Sequence, residues 1–250
     1  MIYKRAIAKL RAQEWSAIAI ELAIVVVGVF VGTWVANWNE ERVEQKDIVR
    51  LLQQLHPEVA RFEDEIQDAR TYYAVTDRSA HVALAGWAGN PPVSDHDFVI
   101  AAYQASQIRG IGPDSQSYSQ LLGGDQVRKI ENPDLRAAVI RLLNYDFEPL
   151  QLPVMRTRYR DDVRQLIPQA IQEKVRAQCG DRDTATGRIV LPARCDIALP
   201  AEDVDEGAAA LRAQPQLAGE LRQHQATVAT FLYNVDRLEF RLRKVSELNR

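Results

Sequence analysis

Along the chain the hydrophobic and polar positions fall into three regimes. From Ser16 to Trp38 the sequence SAIAIELAIVVVGVFVGTWVANW is almost continuously apolar, and Glu21 is its one charged residue. About 20 such residues in a helix cover the hydrocarbon core of a bilayer. Trp15, Trp34 and Trp38 fall near the ends, where amphipathic rings favour the headgroup layer. This stretch predicts a single transmembrane helix. Beyond it, Ile48, Leu52, Leu55, Val59, Phe62, Ile66, Ala69 and Tyr73 recur at alternating steps of four and three. That heptad predicts a long helix with one apolar seam. Pro57 is expected to kink it or divide it in two, and Gly86 to Pro92 to stop it after about Leu84. The last stretch repeats the pattern with Leu217, Leu221, His224, Val228, Phe231, Val235, Leu238, Leu242 and Val245. Two long heptad helices, first and last, predict an antiparallel pair closing a helical bundle.

Between them the punctuation is local. Ser94 followed by Asp97 reads as a helix N-terminus leading into FVIAAYQASQI, and Arg109 to Asp114 reads as loop. A short helix over Tyr118–Leu122 ends at Gly123-Gly124. Asn132-Pro133 pairs a cap with a first-turn proline for a helix to about Tyr145. Pro149 and Pro153 break it. Met155 to Gln178 reads as another helix, bent or divided at Pro168, and Asp203 to Ala213 as a short one before Pro215 starts the last. Strand alternation is confined to an extended piece at Arg188–Leu191. The fold class expected is all-α, with a leader (1–14), a transmembrane helix (15–38) and an extracytoplasmic helical domain (39–250).

Charge adds orientation. Lys4, Arg5, Lys9 and Arg11 against Glu14 give the leader a net +3, so with −3 overall the remainder carries −6. Tyr3, Ala6, Ile7 and Leu10 share one helical face of this leader, the pattern of a helix lying on a membrane surface. Basic residues beside a span stay in the cytoplasm, which predicts the N-terminus inside and the large C-terminal part outside, in the periplasm of a Gram-negative cell. A cleaved signal peptide is disfavoured, because a cut after Ala36 or Gly32 puts Trp34 or Phe30 where a small residue is needed. The leader is too short to fold as a signalling domain, so a message passed inward needs a partner. A mildly acidic body also argues against nucleic-acid binding, which needs a basic face.

The two cysteines, Cys179 and Cys195, bracket a loop or short hairpin (179–195) rich in Gly and Pro. In an oxidising compartment such a pair forms a disulfide; the alternative is two unrelated buried thiols.

Within the span, Gly28 and Gly32 make a GxxxG pair that Ala36 extends, and small residues at this spacing let helices approach closely. Glu21 lies on roughly the same side. An ionisable residue inside a span usually faces a partner or water. The expected partners are membrane lipid together with a second copy of the chain or a larger membrane protein. Alternatively, Glu21 is hydrated through local thinning and makes no specific pair.

Glu21, Gly28 and the exit run Asn37-Trp38-Asn39-Glu40 resemble the opening signature of an uncharacterised bacterial family of single-span membrane proteins. Ser117-Tyr118-Ser119-Gln120-Leu121-Leu122-Gly123-Gly124 and Ile130 to Arg136 are similar to a second patch of that family, with Gly123 standing where the family tends to Ser. The resemblance covers about a third of the chain. It implies a membrane-anchored helical protein and no particular activity.

Candidate chemistry is sparse. His56, His81, His96 and His224 are scattered, with no HExxH and no Cys/His quartet at metal spacing. Ser94-Asp95-His96-Asp97 reads as a capping turn, since a triad is set by geometry across a fold. Gly110-Ile111-Gly112-Pro113 lacks what a Walker or dinucleotide loop requires. Arg156, Arg158, Arg160 and Arg164 with Asp161 and Asp162 read as a salt-bridged face, or else as an anion site. The expectation is no enzyme, no cofactor and no metal, but a structural or accessory protein acting through helix association. The alternative is a sensor-like module taking a ligand between its helices.

Overall fold

The computed structural model describes residues 15–112, 125–184 and 187–249, and the chain is mostly helical. The leader and the Tyr118–Leu122 segment lie outside the described residues. Helix α1 spans Trp15–Ala88, α2 Asp95–Ala105 and α3 Pro133–Leu143. Short helix α4 spans Leu152–Met155, followed by α5 (Arg158–Leu166), α6 (Gln169–Cys179), α7 (Ala201–Arg212) and α8 (Leu217–Leu248). Short 3₁₀ turns occupy Asp125–Lys129 and Glu148–Leu150, and a two-strand hairpin pairs β1 (Arg182–Asp183) with β2 (Ile189–Val190). The chain divides into two compact units, residues 1–53 with 125–130, and 54–124 with 131–250.

In the first unit, α1 carries a segment long and apolar enough to cross a membrane. Every residue from Ala19 to Val43 is exposed. Thr33 returns its hydroxyl to the Val29 and Phe30 carbonyls, both at 3.0 Å, so that even this polar group is satisfied within the helix. Lys129 in the first 3₁₀ turn pairs with Glu44 at 2.5 Å.

The second unit is built on the two heptad seams. On α1, Leu55, Val59, Phe62, Ile66, Ala69 and Tyr73 are buried, and on α8 all nine seam residues from Leu217 to Val245 are buried. Tyr73 packs against Phe231 with the rings tilted by 58° and their centroids 5.0 Å apart. Arg70 donates to Asp236 at 2.6 Å and to Glu239 at 2.8 Å, and Gln225 donates to Asp77 at 3.1 Å. Helix α2 is buried from Phe98 to Ala105; a helix apolar all round must be enclosed by others. It packs on α5 and α7, while α8 packs on α3 and α5.

Local signals set most boundaries. The Ser94 side chain accepts from the Asp97 amide, and the Asn132 side chain accepts from the amides of Asp134 and Leu135. These groups satisfy amides that have no partner within the helix. Pro168 divides α5 from α6, as expected, and a further break at Arg156-Thr157 separates α4.

Pro57 does not divide α1. A proline removes one hydrogen bond, here to the Gln53 carbonyl. Pro57 and Gln53 are both exposed, so water can take that carbonyl, while buried Leu55 and Val59 hold the turn. The helix also runs past Leu84 to Ala88, because Gly86 and Trp87 pack in the last turn and Gly89 closes it with a φ of 70°.

Cys179 and Cys195 stand at disulfide distance, 2.05 Å between sulfurs, and enclose the β1–β2 hairpin. Closing a loop of this size stabilises by about 3 kcal/mol in the chain-entropy model. Replacing both cysteines by serine should lower the unfolding free energy by about that amount in a denaturant titration. An unchanged midpoint and slope would mean that the hairpin is held by its packing alone.

Candidate functional site

The sequence singled out one face of the apolar helix. Glu21, Gly28, Gly32 and Ala36 all lie exposed on α1, and a Cβ built on Gly28 or Gly32 meets nothing within 4 Å. Nothing in the described residues covers the bare backbone strip. Asn37, Trp38, Asn39 and Glu40 continue the same helix rather than ending it, all exposed, with the Arg42 guanidinium 4.6 Å over the Trp38 ring.

The arginine-rich segment separates into two layers. Arg156 pairs with Asp161 at 3.0 Å and Arg158 with Asp162 at 3.7 Å. Arg160 and Arg164 turn inward to the C-terminal end of α2. There Arg160 donates to the Ser106 carbonyl at 2.5 Å, and Arg164 to Tyr103 Oη at 3.1 Å and Gln107 Oε1 at 2.8 Å. Cations at a helix C-terminus offset its partial negative charge. This cluster is therefore spent on the fold. The Ser94–Asp97 run is likewise structural: Asp95 pairs with Arg212 at 2.5 Å, and His96 Nε2 lies 2.8 Å from the Ile197 carbonyl. Among the described residues, no three His, Cys, Asp or Glu side chains cluster as metal ligands.

A second candidate was not legible in the sequence. On the flank of the α1 seam, Pro57, Ala60, Arg61, Asp64 and Asp68 form a strip, with Glu65 beside it. With Arg109 and Gly110 and with Arg188 of the hairpin they line a cleft of about 610 Å³. That volume falls within the range of small-molecule pockets. Tyr73 of α1 clamps the backbone of Arg109, with Tyr72 beside it. Tyr73 donates to the Arg109 carbonyl at 2.6 Å and accepts from its amide at 3.1 Å, and the Tyr72 hydroxyl, which donates to Asp181 at 2.9 Å, lies 3.3 Å from the Ile108 carbonyl.

The charges of the cleft are unevenly matched. Arg188 forks onto the two carboxylate oxygens of buried Asp68. Arg61 holds Glu58, at 3.1 Å, and Glu65. Burial pushes the Glu65 carboxyl above the usual range, against the opposing pull of Arg61 and Arg109. Arg109 is only 7% exposed. Its Nη1 donates to the Ile189 carbonyl at 2.9 Å, while its buried Nε has no partner.

These residues come from three separated segments, each of which reads alone as ordinary solvated charge. The hydrophobic seam, the Tyr73 bonds to Arg109 and the Arg188–Asp68 pair fix where they meet. Compared with family models, with curated proteins and with solved structures, the chain matches none.

Proposed function

We propose that this is a single-span inner-membrane protein that works by association, as a structural or accessory subunit. Its apolar helix packs against a second copy or a larger membrane protein, and its helical domain forms the contact or spacer on the periplasmic side. The observation that carries this reading is the face of α1 where Glu21, Gly28, Gly32 and Ala36 are exposed and where, among the described residues, nothing packs against Gly28 or Gly32. Lipid satisfies apolar side chains but not a carboxyl group, and a partner helix fits against a strip without side chains. The resemblance to single-span proteins at Glu21, Gly28 and Asn37–Glu40 points the same way. The basic leader supports an N-terminus in the cytoplasm. An antiparallel bundle is supported by the order of contacts, in which Asp77, Tyr73 and Arg70 meet Gln225, Phe231 and Asp236 in turn.

Replacing Gly28 and Gly32 together by isoleucine tests it. The expected result is loss of co-purifying partner or of the crosslinked oligomer, with membrane insertion and expression unchanged. Association that survives intact would reduce the span to an anchor.

A further inference from the structure

The cleft beside the α1 seam contains a buried guanidinium, that of Arg109, with no ion pair among the described residues. Arg109 offers five N–H donors, and one hydrogen bond, to the Ile189 carbonyl, is its share among the described residues. A buried polar group without a partner is costly, and a buried charge more so. The other two guanidinium groups of the cleft are engaged: Arg188 on Asp68, and Arg61 on Glu58 and Glu65. Glu65 acts on Arg109 only through space, and its burial favours the neutral acid. The position of Arg109 is fixed by the tyrosine clamp on its backbone, so it is not a mobile surface side chain that drifted inward.

The remaining lining limits what would bind. Planar guanidinium groups match carboxylates, and phosphates, through paired donors. Asp64, Glu65 and Asp68 share the cleft and disfavour a dianion such as phosphate. Asp64 is exposed on the same strip and makes no ion pair among the described residues. Among the described residues the cleft therefore provides one guanidinium without an ion pair, Arg109, and one exposed carboxylate, Asp64, that reaches Arg188 only through space. We infer that it is a binding site for a small zwitterion of the amino-acid type, its carboxylate on Arg109 and its ammonium toward Asp64. This inference stands independently of whether the span associates.

The test is thermal unfolding and calorimetric titration of the full-length protein in detergent, with glycine, L-alanine, L-leucine and L-glutamate as probes. Acetate, methylamine and inorganic phosphate serve as partial mimics. A ligand that binds only the native state raises its melting temperature in a saturable way. The expected result is such a shift with at least one amino acid, with acetate at least about tenfold weaker. Arg109→Gln should abolish the shift. Asp64→Asn, at an exposed position that does not threaten folding, should weaken amino-acid binding about tenfold and leave acetate unchanged. Absence of any amino-acid effect on the wild type up to about 10 mM would overturn the proposal. So would phosphate binding more tightly than every amino acid, or undiminished amino-acid affinity in Asp64→Asn.

Discussion

Truncating Phe98 to alanine should destabilise the helical unit by about 4 kcal/mol, within the range for buried aromatic truncations. Its ring is fully buried at the start of α2, edge-on to Trp87 with centroids 5.0 Å apart, and the Arg212 guanidinium lies 5.2 Å over it. The ring also fills the notch that Gly86 leaves in the last turn of α1. A Cβ on Gly86 would stand 2.1 Å from Phe98 Cδ2, well inside contact distance. Gly86→Ala is thus expected to destabilise, although alanine favours a helix interior by about 1 kcal/mol over glycine. Overpacking costs about 1–3 kcal/mol and outweighs that gain. The two substitutions should not add. In Gly86→Ala/Phe98→Ala the new methyl group enters the space the ring vacated, so the double variant should lose less than the sum of the singles. Denaturant titration of all three variants measures the coupling directly. Strict additivity would mean that the ring and the notch are not matched.

Acidification should weaken the fold through His224. This residue occupies a seam position of α8 and is 1% exposed. Its Nδ1 lies 2.8 Å from Thr157 Oγ1, the Ala105 backbone interacts with the ring and favours its protonated form, and the ring lies 5.8 Å from that of Tyr159. Burial, helped by the charge of Arg160, pushes the imidazole down to about 4. The unfolded chain binds this proton near pH 6.5, whereas the folded protein resists it. Stability is therefore complete above about pH 6.5, falls as the pH drops toward 4 and levels below it, a loss of about 3 kcal/mol from this group. His224→Leu should remove that slope between pH 6.5 and 4, leaving the steeper acid loss of carboxylates such as Glu239, whose pKa Arg70 holds down. Unfolding midpoints of both proteins across this range decide the matter. An equal slope in the two would place the acid sensitivity elsewhere.

The sequence made the seams of this fold legible because their period is long and consistent. Every seam residue predicted on α8 is buried, including His224, which composition alone would have left outside. The caps at Ser94 and Asn132 were legible for the same local reason, since side chain and unsatisfied amide lie within three residues. Of the two outcomes expected at Pro57, division of the helix does not occur, because a proline's cost depends on whether its freed carbonyl meets water, and that is a property of the packed helix. The meeting of Arg109 with the charged strip of α1 in one cleft was out of reach, because it brings together positions more than forty residues apart. Conversely, spacing alone places Glu21, Gly28, Gly32 and Ala36 on roughly one side of a helix, and among the described residues all four are exposed.

The most direct test of association through the span is photo-crosslinking from single positions along α1 in native membranes. Val25 and Val35 flank Gly28 and Gly32 on one side of the helix, while Val26 and Phe30 project from the other, as the 100° step per residue requires. Probes at Val25 and Val35 should give a discrete protein adduct, and probes at Val26 and Phe30 should label lipid alone. Adducts of equal strength around the helix, or none at any position, would contradict an association face at Gly28 and Gly32.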